Sequence, residues 1–298
     1  MKFLYLLSFS FYLIKASKIC NVLSFSGGGS FGAIEIGILD KIKLSEYDLI
    51  TGISAGALNA GLLSYYNNPL LLNKGIEKLK YIYINLTNND VYTHNYFEIE
   101  KTWSYYSTLP LKKTLIKNLL SINYLDQSKI TLIGSTNLNT GKLEIFNFEK
   151  YSQLDQVEIL LASSAIPILF EPIKFNNNIY VDGGTISNEI LIGFNEYLPM
   201  CDNYNITFIS SNKDIEFKQD INNFSDYIKR LKDVFNFNFN NQLNNINILP
   251  CPNKRRGLLY YYFPTFNLSN YSSLDFNNGE KLINLGQKEY SYKIYDYC

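Results

Sequence analysis

Two short apolar runs near the start of the chain each lead into a segment with helical spacing. The first run, at residues 21–26, stops at three glycines, and isoleucines then recur at every fourth position within residues 31–43. The second run, at residues 49–53, is followed by an apolar helical face within residues 57–65. A strand, a tight turn and a helix, repeated in this way, predict a parallel sheet covered by helices.

The rest of the chain continues the alternation of strands and helices. Residues 85–123 are less regular and rich in aromatic side chains, and we expect helices and loops that cap the sheet. No Pro/Gly/Ser-rich linker interrupts the chain, so residues 18–298 are predicted to form a single domain. The further predictions are a hairpin of strands at 129–138 and 142–148, a helix at 153–164, strands at 179–181, 206–210 and 258–263, and an amphipathic stretch at 224–235.

The first 17 residues have the layout of a secretory signal peptide. Lys2 precedes an apolar run at residues 3–14, and Lys15, Ala16 and Ser17 follow it. The run is shorter than the roughly 20 residues that span a bilayer. We therefore expect the secretory pathway, with an extracellular or lumenal location. The alternatives are an uncleaved membrane anchor and a first buried strand or helix.

Charge and cysteine spacing exclude some classes of function. Lys plus Arg and Asp plus Glu number 27 each, which does not fit a nucleic-acid-binding protein. No C-x-x-C spacing occurs, which disfavours a zinc or redox motif. Two disulfides with three possible pairings, or free thiols, remain open for the four cysteines, which are Cys20, Cys201, Cys251 and Cys298.

A G-x-S-x-G pentapeptide spans residues 52–56, between a predicted strand and a predicted helix. In this context the serine of the motif lies on a strained turn, and the flanking Gly52 and Gly56 let strand and helix pass closely. The helix N-terminus favours negative charge on the reacting oxygen. Ser54 is therefore our candidate nucleophile. The alternative is a structural glycine turn with an incidental serine.

The glycine run at 27–29, followed by Gly32, offers backbone amides without obstructing side chains. Such amides stabilise an oxyanion, as in ester hydrolysis. The same glycines also form a G-x-G-x-x-G pattern, which is typical of dinucleotide sites. That pattern requires an acidic residue at the end of the second strand, whereas Asp48 precedes its strand. We therefore favour an oxyanion loop.

The base that would activate Ser54 must be a carboxylate. The only histidine, His94, lies in a polar run. No histidine follows Asp182, so the hydrolase order Ser, Asp, His does not occur. Asp182 ends a short apolar strand and is followed by Gly183 and Gly184, which allow a close approach of backbones. It would need a desolvated site that raises its pKa. The alternative is an Asp-Gly turn.

These elements, in this order, resemble the patatin-like phospholipase family. The resemblance extends to residues 135–141 and 162–167 and, loosely, to 274–276, with its core motifs in 20–196. It implies a three-layer α/β/α sandwich with a mostly parallel central sheet. It also implies a lipid acyl hydrolase of the phospholipase A or lysophospholipase type that acts without metal or other cofactor.

The roles implied by the resemblance are specific. Ser54 would form an acyl-enzyme and Asp182 would be its base. The amides of Gly27, Gly28 and Gly29, with Ala55, would form the oxyanion hole. One departure is Phe31, because the family usually carries a basic residue at this position. The alternative function is a catalytically silent lipid-binding or interaction module on the same fold.

The partners implied are an acyl-lipid substrate and, transiently, a membrane or micelle surface. The aromatic side chains at 92–106 and the basic and aromatic string at 254–261 suit contact with lipid. The alternative is a buried strand beside a solvated turn.

Overall fold

The computed structural model describes residues 18–42, 46–95, 99–122, 129–211 and 257–297. The predicted signal peptide, the amphipathic stretch at 224–235, the basic residues 254–256, Cys251 and Cys298 lie outside the described residues.

Eleven strands are present in the described part of the chain. They are β1 (Ile19–Phe25), β2 (Leu49–Ile53), β3 (Thr93–His94), β4 (Tyr106–Ser107), β5 (Ile130–Asn137), β6 (Lys142–Asn147), β7 (Ile173–Phe175), β8 (Asn178–Asp182), β9 (Asn203–Ile209), β10 (Gly257–Pro264) and β11 (Tyr290–Tyr297). Nine form one sheet in the order β11-β10-β9-β1-β2-β5-β8-β7, with β6 also paired to β5. Strands β3 and β4 form a separate ribbon.

The centre of the sheet is parallel and its edges are antiparallel. Strands β10, β9, β1, β2 and β5 run parallel, whereas β11, β6, β8 and β7 pair antiparallel with their neighbours. Alternate residues of β1 show why this strand is central: Val22 packs on one face, while Leu23 and Phe25 pack on the other. A strand that is buried on both faces is expected in a sheet covered on both sides.

Helices cover one face of the sheet and form the larger core. The α-helices of the described residues are α1 (Gly32–Leu39), α2 (Ala55–Ser64), α3 (Leu72–Asn85), α4 (Ile99–Thr102), α5 (Leu109–Leu119), α6 (Gln153–Ser163) and α7 (Gly279–Lys288). All eight residues of α1 are buried, because this helix is packed between the sheet and the outer helices α3 and α7. The opposite face is covered, in the part that the structure describes, by residues 190–198, which include a 3-10 turn at Phe194–Glu196.

The architecture confirms the predicted α/β fold with a mostly parallel central sheet flanked by helices. The β5–β6 hairpin is confirmed as well. Helix α3 and strands β7 and β11 were not predicted. No helix in the described ranges has the length and apolar character needed to cross a membrane.

A disulfide joins Cys20 on β1 to Cys201, which precedes β9. Because β1 and β9 are parallel neighbours, both cysteines lie at the same end of the sheet. This is one of the pairings that the sequence left open.

Candidate active site

The turn between β2 and α2 holds Ser54 in a strained backbone conformation, as the pentapeptide predicts. Ser54 has φ 53° and ψ −121°, which non-glycine residues rarely adopt. A side chain on Gly56 would place its Cβ 2.5 Å from the carbonyl oxygen of Ser26, and one on Gly52 would collide with the backbone of Gly56. The two glycines are therefore needed for β1, β2 and α2 to pack this closely.

The register of the sheet brings Asp182 to Ser54 across 128 residues of sequence. In the β2–β5 pair Ile53 lies opposite Gly134, and in the β5–β8 pair Ser135 lies opposite Asp182. The end of β8 is therefore level with the end of β2, with β5 between them. Neither residue could reach the other if β8 were shifted by two residues along β5.

The two side chains form a short hydrogen bond. Ser54 Oγ donates to Asp182 Oδ2 at 2.6 Å, and Asp182 Oδ1 accepts from the amide of Gly184 at 2.7 Å. Both residues are buried, with 6% and 5% of their surfaces exposed. Burial raises the pKa of Asp182 from 3.8 to about 6, although its hydrogen bonds from Ser54 and Gly184 act in the opposite direction.

Three backbone amides near Ser54 have no hydrogen-bond acceptor among the described residues: those of Gly28, Gly29 and Ala55. Gly29 adopts φ 59°, a conformation suited to glycine, and it lines the same cavity as Ser54 and Ala55. Unpaired amides that face a cavity can bind an anionic oxygen.

Gly27 must be removed from the predicted oxyanion hole. Its amide already donates to the carbonyl oxygen of Asn188 at 3.0 Å, so it has no proton left for a reacting oxygen. The side chain of Asn188 also donates to the Gly27 carbonyl, at 3.4 Å. The loop after Asp182 thus fixes the position of the glycine loop, a role that the sequence did not reveal.

Two further buried polar groups support the site and were not assigned a role from the sequence. Ser163 Oγ accepts from the Ser54 amide at 3.0 Å and donates to the Gly134 carbonyl at 2.7 Å, which ties α6 to β2 and β5. Glu35 is fully buried, and its carboxylate accepts from Ser26 and Asn59 at 2.9 Å. Burial raises its pKa well above the usual value, with these hydrogen bonds opposing the rise. A single acidic residue within the apolar sequence of α1 was a usable signal for Glu35.

A cavity of about 870 Å³, counted with its open mouth, extends from Ser54 between α2, α3, α5 and α6. Its wall is almost wholly apolar. The lining residues of α2 are Ala55, Leu58, Asn59 and Leu62; those of α3 are Leu79, Ile82 and Tyr83; those of α5 are Leu111, Thr114, Leu115, Asn118 and Leu119. A cavity with a wall of this character suits a hydrocarbon group.

A sequence model described as patatin-like phospholipase matches residues 23–193, which is more than half of the chain and includes both Ser54 and Asp182. The chain belongs to the patatin-like phospholipase family. Its family membership agrees with the resemblance drawn from the motifs.

Individual relatives of this patatin-like chain come from viruses and mammals. A probable lipid hydrolase of Invertebrate iridescent virus 6 is 29% identical over 187 residues, covering 57% of this chain and 62% of the relative. An uncharacterized protein of Acanthamoeba polyphaga mimivirus is 26% identical over 239 residues, covering 73% and 76%. The calcium-independent phospholipase A2-gamma of Rattus norvegicus is 25% identical over 198 residues, covering 56% of this chain and 25% of its own. The chain thus spans only part of the first and third of these proteins.

Among solved structures, VipD from Legionella pneumophila is similar, with a TM-score of 0.38 and 12% sequence identity. The similarity covers 93% of this chain and 68% of VipD.

The structure also locates the other residues that the sequence analysis discussed. Gly32 begins α1, and Gly183 and Gly184 lie in the 3-10 turn after β8. Phe31, which replaces the usual basic residue, is buried in the core. His94 is exposed in β3, with its ring 4.8 Å from that of Tyr106, and it lies in a part of the fold separate from the sheet that holds Asp182. Within the described ranges, no three His, Cys, Asp or Glu side chains lie close enough together to hold a metal ion.

Proposed function

We propose that this protein is a lipid acyl hydrolase in which Ser54 is the nucleophile and Asp182 the base. The observation that carries the proposal is the 2.6 Å hydrogen bond to Asp182 Oδ2 from the Oγ of Ser54, which lines an apolar cavity. The proposal is also supported by family membership and by the probable lipid hydrolase among the relatives.

The reaction begins with attack of Ser54 Oγ on the ester carbonyl carbon. The hydroxyl proton moves to Asp182 Oδ2, and the carbonyl oxygen becomes an oxyanion that accepts from the amides of Gly28, Gly29 and Ala55. Collapse of this intermediate breaks the ester bond, and Asp182 returns the proton to the leaving alcohol. The acyl group stays on Ser54.

Deacylation repeats the same steps with water as the nucleophile. Asp182 takes a proton from water as its oxygen attacks the acyl carbon, and then gives that proton to Ser54 Oγ as the fatty acid leaves. A carboxylate in water is a weak base for this task. Burial, which raises the pKa of Asp182 to about 6, makes it a stronger one while leaving it ionised at neutral pH.

The substrate class follows from the cavity. Its apolar wall accommodates the acyl chain of a phospholipid, a lysophospholipid or a neutral lipid, with the ester next to Ser54. The nucleophile, base and oxyanion donors all come from the chain itself, so we propose that the reaction needs neither metal nor cofactor.

We further propose that the protein works in an oxidising compartment, in the secretory pathway or outside the cell, or attached to a membrane if the N-terminal segment is not cleaved. The Cys20–Cys201 disulfide supports this proposal, because disulfides persist in such compartments.

The decisive experiment compares wild type with Ser54→Ala and Asp182→Asn. We expect each substitution to lower kcat/KM for a soluble short-chain ester by about 10⁴-fold or more, since each removes a group that acts only in the chemical step. A fluorophosphonate should label wild type at Ser54, and chelation by EDTA should leave its activity unchanged. Wild-type turnover in either variant would remove that residue from the mechanism, and a folded wild type without ester hydrolysis would favour a silent lipid-binding module.

A further inference from the structure

Two loops, one of which contributes to the cavity lining, are joined by backbone hydrogen bonds. The amide of Tyr105 donates to the carbonyl of Ile168 at 2.9 Å, and the amide of Tyr106 donates to that of Leu169 at 2.9 Å. The second loop, between α6 and β7, also carries Ile166 and Phe170, which both line the cavity. The two loops are therefore fixed to each other beside the cavity wall.

Three large side chains on these loops are exposed. Trp103 is 58% exposed, Tyr105 53% and Ile168 69%. We call Trp103, Tyr105 and Ile168 the rim patch. Burial of such side chains normally stabilises a fold, so their exposure gives this protein no stability by itself.

Backbone strain accompanies this exposure. Trp103 has φ 58° and Ile168 has φ 72°, in the left-handed region that is unfavourable for bulky and β-branched residues. Such conformations are energetically unfavourable, and such strain clusters at functional sites. Glycine or asparagine would remove the strain in the isolated protein, and neither residue occupies these positions.

The rim patch adjoins the apolar cavity along the chain, because Ile168 lies between the cavity residues Ile166 and Phe170. A hydrocarbon chain that moves from lipid into the cavity passes from one apolar environment to another. An apolar rim between them reduces the exposure of the chain to water. A cation lies beside the patch, since Lys174 Nζ is 5.9 Å from the centre of the Trp103 ring. Tryptophan, tyrosine and lysine together suit the boundary between hydrocarbon and lipid headgroups.

We propose that the rim patch inserts into the surface of a phospholipid bilayer and seats the mouth of the cavity against the lipid. This inference rests on the proposed function, because it takes the cavity as the site of an acyl chain. Trp103 and Ile168 are its anchors, and Lys174 lies at headgroup level.

Tryptophan fluorescence tests the insertion directly, because Trp103 is the only tryptophan of the chain. The full-length wild type is titrated with unilamellar vesicles of diether phosphatidylcholine, which contain no ester to cleave. We expect the emission to shift to shorter wavelength and acrylamide quenching to fall. Unchanged emission from protein that co-sediments with the vesicles would overturn the inference, as would a failure to co-sediment by protein that cleaves ester vesicles.

The matched variants are Ile168→Asn and Leu70→Ser. Asparagine tolerates the left-handed conformation, so Ile168→Asn removes the apolar side chain while relieving strain, and it should fold at least as well as wild type. We expect its affinity for the vesicles to fall about tenfold, with hydrolysis of a soluble short-chain ester changed by less than about twofold. Leu70 is 90% exposed but lies beyond the far end of α2 from Ser54, so Leu70→Ser should bind vesicles like wild type.

The two proposals fail in different ways. If Ile168→Asn binds vesicles as tightly as wild type, or if Leu70→Ser weakens binding equally, the rim patch is not the docking surface. Absence of soluble-ester hydrolysis in wild type would instead refute the proposed function, and the vesicle titration would still decide whether Trp103 inserts.

Discussion

At the scale of single residues, the protonation state of Asp182 should control the reaction. Burial raises its pKa to about 6, and the base must be ionised to accept the proton of Ser54. We therefore expect kcat/KM for a soluble ester to fall roughly tenfold per pH unit below pH 6 and to be nearly constant above pH 7. A pH–rate profile measures this, and a constant rate from pH 4.5 to pH 7 would contradict it.

Asp182→Asn provides the matched control, because the amide is neutral at every pH and can take the same two partners. The folded pKa of Asp182 lies above its unfolded value of 3.8, so folding favours the protonated form. That stability is present in full below about pH 4 and is lost as the pH rises through about 6, by roughly 3 kcal/mol in total. Denaturant titration should therefore show equal stability below pH 4 and a more stable variant at pH 8. A less stable variant at pH 8 would mean that folding does not raise the pKa of Asp182.

The site was partly readable from sequence at this scale. Ser54 and Asp182 lie in short motifs whose glycines permit only a few backbone arrangements, so local sequence was enough to select them as a pair; their catalytic roles stay a prediction. Ser163, Asn188 and Glu35 act through contacts with residues that the chain folding brings together, and nothing in their own neighbourhoods fixes those partners. The same applies to Gly27: its amide is occupied by the carbonyl of Asn188, 161 residues away.

At the scale of elements, periodicity predicted the central strands and the helices between them, because buried parallel strands have continuous apolar runs. Helix α3 was missed although its buried residues, Leu72, Ile76, Leu79 and Tyr83, follow helical spacing. Further apolar side chains, among them the exposed Tyr81 and Ile84, obscure that face in the sequence. Strand β7 has three residues, too few for a periodic pattern to show.

Helix α2 lines the cavity beyond Ser54. Leu62 lines the cavity eight residues after Ser54, which places it about 12 Å along the helix axis. We expect Leu62→Phe to fill this part of the cavity and to lower kcat/KM for long-chain esters about tenfold or more, with less than about twofold effect on a butyrate ester. The ratio of the two rates, measured on one enzyme preparation, is independent of any loss of folded protein.

Leu62→Ala tests the same position in the opposite direction. The smaller side chain enlarges the cavity, so the long-chain rate should be retained. Equal long-chain to short-chain ratios in wild type and Leu62→Phe would show that the acyl chain does not follow α2.

At the scale of the whole molecule, residues beyond the family match support the glycine loop. The match ends at residue 193, yet Ser211 Oγ donates to the Gly27 carbonyl at 2.8 Å and the Ser30 amide donates to the Ser273 carbonyl at 2.8 Å. Strands β9, β10 and β11 extend the sheet beside β1, so the C-terminal part of the chain holds the glycine loop from the side opposite α2.

The disulfide acts at the other end of β1. Cys20 lies seven residues before Gly27, a separation of roughly 23 Å along a strand, and the bond to Cys201 closes 181 residues of sequence. A loop of that length lowers the entropy of the unfolded chain substantially, and native disulfides typically contribute about 2–5 kcal/mol. We expect the double substitution Cys20→Ala and Cys201→Ala to lower the free energy of unfolding by this amount, measured in urea, while kcat/KM of the folded protein stays within about twofold of wild type.

The single substitutions distinguish stabilisation by the disulfide bond from stabilisation by the packing of each cysteine side chain. If the two cysteines stabilise the protein only by being joined, each single variant should lose as much stability as the double variant. Stability losses that add between the two sites would mean that each side chain contributes by packing alone. A kcat/KM that falls together with stability would mean that constraint at the far end of β1 reaches the glycine loop, which the parallel pairing of β1 with β2 and β9 should prevent.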